Sequence, residues 1–290
     1  MERVIVEVGS TCTKVDVYNG KEIKHIGEKT IEFKNNYKKE NKLNEIDVRK
    51  LIVLVNELKL KYSDIYVGGT SIFRDLKDQE KTDFLKLFYD ETGIKFDIID
   101  QKKENILTVK GVTRNIDKRV AVLVGGGGST EITIFDKEIK EMVNSQIGVI
   151  DIMNKFPDLA EDKAKSDIED VKREIKKKLN LPKQKADILV LAGGAHMYFA
   201  INSGIKYEKN NLYNDKFQPM VMDIETREKE TERYYKEISL DEIRSKVESP
   251  RWWYGTRAMC AFVLVVAEEI GAKYIVPTDI SMVYGLLEGA

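Results

Sequence analysis

Hydrophobic and polar positions change their spacing repeatedly along this chain, and the changes predict alternating strands and helices. Alternating or wholly apolar runs of strand length begin at Arg3, Asp64, Arg119 and Asp187. Between these runs, apolar residues three and four positions apart predict helices over residues 48–62, 81–92, 163–179 and 257–270. Strands that alternate with helices in this way are typical of an α/β fold.

Three features of this pattern occur twice, in the same order. A strand, a glycine turn and a second strand begin at Arg3 and again at Arg119. Short apolar strands that run into two glycines begin at Asp64 and Asp187, and helices that end before a further strand do so at Gly93 and Gly271. The repetition predicts two duplicated domains, over residues 1–116 and 117–290, with a ligand cleft between them.

One segment of the second half has no counterpart in the first. Residues 207–237 are polar, charged and rich in Asn, Lys and Glu, and they separate the second repeated feature from the third. We interpret this segment as a surface insertion that contains some helix.

Each predicted domain opens with a loop whose composition suits a phosphate group. Four glycines, Gly125 to Gly128, allow positive φ angles and a close approach of the backbone, so that several N–H groups can face one anion. A glycine-rich hairpin is often only a turn, but two related loops in duplicated domains favour phosphate. The predicted phosphate-binding residues of the loops are Gly9, Ser10, Thr11, Gly126, Gly127, Gly128, Ser129 and Thr130.

Composition places the chain among globular proteins. Its 290 residues are 42% hydrophobic and 33% charged, which suffices for two domains that each have a core. The longest apolar stretch, residues 258–267, has about half the length that a membrane-spanning helix needs. No secretory signal pattern begins the sequence, so we expect a cytoplasmic protein that does not bind membranes.

Cysteine content and charge exclude further classes of protein. Cys12 and Cys260 lie far apart and have no zinc-type spacing, so neither a disulfide framework nor a metal knuckle is predicted. The formal net charge of −1 argues against general nucleic-acid binding. A polyanionic ligand would therefore need a local basic cleft.

Together these motifs resemble the exopolyphosphatase and guanosine pentaphosphate phosphohydrolase family, over most of the chain. The resemblance implies two actin-like (ribonuclease H-like) domains and removal of a terminal phosphate from inorganic polyphosphate or a guanosine alarmone (pppGpp), usually with Mg²⁺. The matching residues are Val8 to Thr11, Gly69 to Asp75, Glu104, Leu107, Gly111, Val112, Gly126 to Glu131, Thr278, Asp279 and Gly285 to Leu287.

The resemblance gives three charged residues a role. Arg74 looks like the arginine that holds the substrate phosphate, although it could instead pair with Asp75 or Asp78 on a helix surface. Glu104 looks like the general base for the attacking water, although a glutamate near a helix start is usually structural. Glu131 could position water or bind a metal ion through water, or be an exposed strand residue.

The sequence departs from the family pattern at both loops. Where the family has an aspartate before each loop, this chain has Glu7 and Val124, and Lys14 replaces an arginine. Glu7 is thus the metal-binding candidate at the first loop. Three alternatives follow for Mg²⁺: Glu7 and Glu131 hold it alone, the substrate phosphates hold it, or the protein binds its ligand without hydrolysis.

We therefore consider three functions. The first is a phosphoanhydride hydrolase that acts on polyphosphate or alarmone, and the second is a non-catalytic sensor of the same ligands. The third is a small kinase of the same superfold, in which Gly193 and Gly194 would contact a nucleotide. His196 is interpreted as a polar residue at a helix start, and residues 252–254 as packing aromatics. For the oligomeric state of the protein we consider a homodimer.

Overall fold

The computed structural model describes residues 2–9, 12–70, 72–193, 196–245 and 253–287. The chain forms two compact units, Met1–Ile106 and Leu107–Ala290. The division falls inside a helix, Gln101–Thr113. The predicted domain boundary, between residues 116 and 117, lies ten residues further along, after this helix ends.

The first unit is built on a five-stranded sheet. Its strands are β1 (Arg3–Val8), β2 (Cys12–Tyr18), β3 (Ile23–Thr30), β4 (Asp64–Gly69) and β5 (Phe96–Ile98), in the order β3-β2-β1-β4-β5. Strands β1 to β3 pair antiparallel, whereas β4 lies parallel to β1 and β5 lies parallel to β4. The helices are α1 (Phe33–Glu40), α2 (Glu45–Lys59), α3 (Ile72–Asp75), α4 (Asp78–Thr92) and α5 (Gln101–Thr113).

Alternate residues of β1 contribute to the main apolar cluster of the first unit. Val4, Val6 and Val8 are buried in one apolar cluster together with residues of α2 and α4. The side chain of Asn44 caps α2 by accepting from the N–H groups of Ile46 and Asp47. The predicted helices over residues 48–62 and 81–92 are thus present, and each begins three residues before its predicted start.

The second unit has a seven-stranded sheet in the order β10-β11-β12-β9-β6-β7-β8. Its strands are β6 (Val120–Gly125), β7 (Thr130–Asp136), β8 (Glu138–Ser145), β9 (Ile188–Ala192), β10 (Glu208–Lys209), β11 (Met220–Asp223) and β12 (Tyr274–Pro277). Its helices are α6 (Val149–Lys155), α7 (Ile168–Lys178), α8 (His196–Asn202), α9 (Ile224–Lys236), α10 (Leu240–Ser245), α11 (Thr256–Ile270) and α12 (Met282–Leu287).

The two sheets confirm the duplication. The order β8-β7-β6-β9-β12 repeats β3-β2-β1-β4-β5, and β6, β9 and β12 are parallel as β1, β4 and β5 are. The helices α4 and α11 both end at a glycine in the left-handed conformation, Gly93 (φ 69°) and Gly271 (φ 71°). The chain is therefore an α/β protein of two related halves.

The unmatched segment, residues 207–237, contains helix as its composition predicted, but part of it is buried and it is not confined to the surface. Strands β10 and β11 extend the second sheet, and α9 buries Thr231, Tyr234 and Tyr235. The amide of Gln218 is also buried and donates to the Val112 carbonyl in α5 (2.7 Å). Polar and aromatic residues can be buried when hydrogen bonds satisfy them, which the charge pattern of the segment does not reveal.

Helix α11 accounts for the longest apolar stretch of the sequence. Nearly all of its residues are buried, because α7 and α9 pack against it. Its single arginine, Arg257, is fully buried and donates to the carbonyls of Tyr234, Leu159, Glu161, Asp162 and Ile238. Among the described residues, no helix is long and apolar enough to cross a membrane.

Candidate active site

The two predicted phosphate loops are closed by the same backbone hydrogen bond. In the first loop the N–H of Gly9 donates to the Cys12 carbonyl, and in the second the N–H of Gly126 donates to the Ser129 carbonyl, both at 2.9 Å. The predicted residues Ser10 and Thr11 lie outside the described residues. We call the residues that face each other two positions outside each turn the flanking pair: Glu7 with Lys14, and Val124 with Glu131.

The second loop is held against the start of α6. The N–H of Val149 donates to the Gly126 carbonyl (3.1 Å) and the N–H of Ile150 donates to the Gly127 carbonyl (3.0 Å). The Thr130 hydroxyl, predicted to bind phosphate, donates to the Ile147 carbonyl instead (2.8 Å). Helix α6 and its preceding residues therefore fix the orientation of the loop.

Close approach, and not a positive φ angle as the sequence suggested, is the reason for glycine at some positions of these loops. Gly9, Gly125, Gly126 and Gly127 have no positive φ angle. A Cβ atom at Gly9 would instead lie 2.9 Å from the Cys12 carbonyl oxygen, and one at Gly125 would lie 2.5 Å from the Met259 methyl group. Next to the second loop, Gly148 has a strict requirement of the same kind: an added Cβ atom would lie 2.4 Å from the Gly126 carbonyl oxygen, and the motifs did not include this glycine.

The first flanking pair is charged. An oxygen of Glu7 is buried and, among the described residues, has no hydrogen-bond partner. Burial raises the pKa of Glu7, against the opposing effect of the Lys14 charge. Burial acts to lower the pKa of Lys14, but nearby negative groups, with Glu7 the strongest, outweigh it, so that this pKa is raised. Lys14 is therefore an ammonium ion next to the first loop.

The second flanking pair has one apolar member. Val124 packs against the turn after β9. The Cγ1 atom of Val124 is so close to Gly193 that a Cβ atom added to this glycine would lie 2.8 Å from it. Glu131, the partner of Val124, is 8% exposed and faces Asn144 on β8, which contradicts the exposed alternative for Glu131. The second loop thus begins with a hydrophobic contact where the family pattern has a carboxylate.

The structure brings Arg74 and Glu104 together. An Nη1–H of Arg74 donates to the Glu104 carboxylate at 2.7 Å, and the same nitrogen lies 3.3 Å from the Ile99 carbonyl. Their side chains are 22% and 32% exposed, so water and ligand can reach both. Arg74, predicted to bind the substrate phosphate, and Glu104, predicted to act as the base, thus form one ion pair although they lie thirty positions apart in the sequence.

Helix α5 carries Glu104 in its first turn. The carboxylate of Asp100 accepts from the N–H of Lys103 (2.9 Å) and so caps the start of this helix. Further along α5, a Cβ atom at Gly111 would lie 2.7 Å from the Tyr284 Cβ atom, and one at Gly285 would overlap the Leu107 carbonyl. The motif glycines of α5 and α12 therefore allow these two helices to pack closely.

The described residues do not fit the magnesium site that the resemblance implies. They contain no group of three His, Cys, Asp or Glu side chains that could hold a metal ion. The carboxylate of Glu7 faces the Lys14 ammonium, and Val124 offers no oxygen. Each flanking pair thus supplies a single carboxylate, Glu7 in the first and Glu131 in the second.

The turn after β9 was the predicted nucleotide contact. Gly193 has a φ of 79°, and its N–H donates to the Ile280 carbonyl (3.2 Å), whereas Gly194 lies outside the described residues. Burial and the nearby Arg227 charge lower the pKa of His196 to about 4, so this imidazole is neutral at pH 7. The carboxylate of Asp279, a matched motif residue, accepts from the Met197 N–H (2.8 Å) at the start of α8.

Solved structures share this architecture along the whole chain. The Ppx/GppA phosphatase of Aquifex aeolicus, in its type II variant, superposes with a TM-score of 0.76 at 19% identity, and the match covers 100% of this chain and 99% of that one. An exopolyphosphatase from Cytophaga hutchinsonii gives 0.74 at 15% identity and covers 99% and 97%. These likenesses confirm the predicted two-domain, actin-like α/β fold.

One curated relative matches part of the sequence. It is the bifunctional 3-dehydroquinate synthase/phosphatase of Fusobacterium nucleatum, 29% identical over 150 residues, which are 49% of this chain. The match covers 22% of that protein, so the matched segment of this chain spans about a fifth of its relative's length.

The family itself is shown by a match over most of the sequence. The model of the Ppx/GppA phosphatase family matches residues 15–246. This range contains Arg74, Glu104 and the second loop. The chain therefore belongs to the Ppx/GppA phosphatase family.

Proposed function

We propose that this protein is a phosphohydrolase, which releases the terminal phosphate of inorganic polyphosphate or of the guanosine alarmone pppGpp. The contact between Arg74 and Glu104 (2.7 Å) is the observation that carries the proposal. A guanidinium group binds phosphoryl oxygens through two N–H groups, and a carboxylate beside it can accept a proton from water. The pair therefore supplies a phosphate ligand and a base at one place.

In the proposed reaction, the oxygen of a water molecule attacks the terminal phosphorus. The bond from this phosphorus to the bridging oxygen breaks, and Glu104 accepts a proton from the water. The products are inorganic phosphate and a chain shorter by one phosphate. Arg74 stabilises the negative charge that develops on the phosphoryl oxygens.

A second candidate is the binding of the same ligands without hydrolysis. The packing of Val124 against Gly193 favours it, because this residue stands where the family pattern has a carboxylate. Loss of one electrostatic contribution to a transition state slows a reaction by about 10²–10³-fold. A protein that binds polyphosphate and cleaves it very slowly would act as a sensor.

The test compares phosphate release from medium-chain polyphosphate and from pppGpp. Glu104→Gln should reduce kcat by about 10²-fold or more, because the amide cannot accept the proton. A matched control is Glu91→Gln, since Glu91 forms an exposed ion pair with Arg49 (2.9 Å) in the same unit. The preferred substrate is the one with the higher kcat/KM.

Each outcome decides between the candidates. If the native protein releases phosphate and Glu104→Gln is as active as Glu91→Gln, the proposed role of Glu104 is wrong. Tight binding without release favours the sensor. If neither ligand is bound or cleaved, both candidates are excluded.

A further inference from the structure

The carbonyl groups of the second loop have fixed partners. Those of Gly126 and Gly127 accept from the first two N–H groups of α6, on Val149 and Ile150, at 3.1 and 3.0 Å. These two donors of α6 are thus used by the loop. The direction of two consecutive peptide groups is thereby set.

The N–H groups of these peptides must point the other way. The structure has no cis peptide bond among its described residues, and a trans peptide holds its C=O and N–H on opposite sides. The Gly126 carbonyl shares its peptide with the Gly127 N–H, and the Gly127 carbonyl shares its peptide with the Gly128 N–H. Both N–H groups are therefore directed away from α6, side by side, as in backbone sites that bind anions.

This arrangement depends on Gly148, immediately before α6. A Cβ atom at Gly148 would lie 2.5 Å from both the Gly127 carbonyl carbon and the Gly128 nitrogen. Backbone atoms cannot rotate away as a flexible side chain can. The N–H of Gly148 also donates to the Asp151 carboxylate (2.9 Å), which fixes Gly148 at the start of α6. Any larger residue at this position must push the loop off the helix.

From this geometry we propose that Gly148 is a positioning residue, which orients the N–H groups of Gly127 and Gly128 to bind a phosphoryl oxygen of the substrate. Gly148 does not itself touch the substrate. The inference rests on the proposed function, since it assigns the donors that the second loop offers to a phosphate chain. These donors are uncharged and belong to the backbone, so they bind without the carboxylate that Val124 replaces.

The first test observes the donors directly. Native protein labelled with ¹⁵N-glycine is titrated with inorganic tripolyphosphate, and the Gly127 and Gly128 signals are assigned from their loss in Gly127→Ala and Gly128→Ala. Hydrogen bonding to phosphate should move both signals downfield. Gly27 on β3, where an added Cβ atom would meet nothing within 4 Å, provides an internal control signal.

The second test is Gly148→Ala. We expect tripolyphosphate to bind about tenfold more weakly, because two hydrogen bonds to an anion are misdirected. Ile175→Val, in the buried core of α7, is the control for a loss of stability and should bind as the native protein does.

The results separate this inference from the proposed function. If the native protein binds tripolyphosphate but the Gly127 and Gly128 signals move no more than that of Gly27, the inference is wrong and the function stands. Equal affinity of Gly148→Ala and Ile175→Val also overturns it. If the native protein binds neither tripolyphosphate nor the longer substrates, the proposed function fails as well.

Discussion

The two phosphate loops have the same backbone turn and different side chains beside it. Each turn is closed by one N–H···O bond of 2.9 Å, but Glu7 faces Lys14 in the first flanking pair and Val124 faces Glu131 in the second. The carboxylate lies on the first strand of the hairpin in the first pair (Glu7 on β1) and on the second strand in the second pair (Glu131 on β7). Backbone hydrogen bonds maintain the turn whatever the side chains are, so the flanking pairs could diverge without loss of the fold.

The loops also differ in how they are supported. In the second, the Thr130 hydroxyl donates to the Ile147 carbonyl and α6 holds two loop carbonyls. The equivalent hydroxyl in the first, on Thr13, is fully buried and has no hydrogen-bond partner within the described part of the chain. Hydrogen bonds to neighbouring backbone thus hold the second loop in position. The first loop differs from it by its charged flanking pair, Glu7 and Lys14.

The largest expected effect comes from removing the first loop's cation. Lys14→Met leaves the buried Glu7 carboxylate without the positive charge opposite it, and should reduce the free energy of unfolding by about 2 kcal/mol. Lys14→Arg, which keeps the charge, should cost less than about 1 kcal/mol. Urea unfolding at pH 7 measures both. Equal losses for the two variants would show that the charge is unimportant to this pair.

An intermediate effect is expected from restoring the carboxylate of the second loop. Val124→Asp places a like charge opposite Glu131 and should cost about 1 kcal/mol in EDTA. Mg²⁺ should then raise the melting temperature of the variant more than that of the native protein, because two carboxylates face each other. Thermal unfolding with and without Mg²⁺ provides the measurement. A native protein that gains as much as the variant would contradict our conclusion about the metal site.

The smallest effect concerns pH. Burial raises the pKa of Glu7 above 4.5, so the folded chain holds this proton more tightly than the unfolded chain does. The stabilisation is complete below about pH 4.5 and is lost as the pH rises through the folded pKa. The Glu7→Gln variant has no such proton, so the stability of the native protein should fall relative to that of the variant as the pH rises, by about 1 kcal/mol or less. Unfolding curves between pH 4 and pH 8 test this, and parallel curves would contradict it.

Much of the fold could be predicted because periodicity and glycine positions are local signals. Apolar spacing located the helices around residues 81–92 and 257–270, and Gly93 and Gly271 correctly marked their ends. The burial of particular polar residues within the segment 207–237 could not be predicted in this way. Gln218 looks like a surface residue in a charged sequence, and only its hydrogen-bond partners make its burial tolerable.

The candidate site shows the same division. Residue type and motif indicated Arg74 and Glu104, but nothing in the sequence places residues thirty positions apart at 2.7 Å. Gly148 was missed because its requirement comes from the backbone of a loop twenty residues earlier. The assigned roles of the loop residues, Arg74, Glu104 and Glu131 stay predictions.

By itself, the sequence determined the two α/β halves, the two glycine loops and the substitution of Val124 for a carboxylate. These features depend on local spacing and residue type, which the chain carries in any conformation. Only the tertiary structure decided that Arg74 pairs with Glu104, that Val124 packs against Gly193 and that α6 orients the second loop. Those contacts join residues far apart in the chain, and they exist only after the strands have set the distances between them.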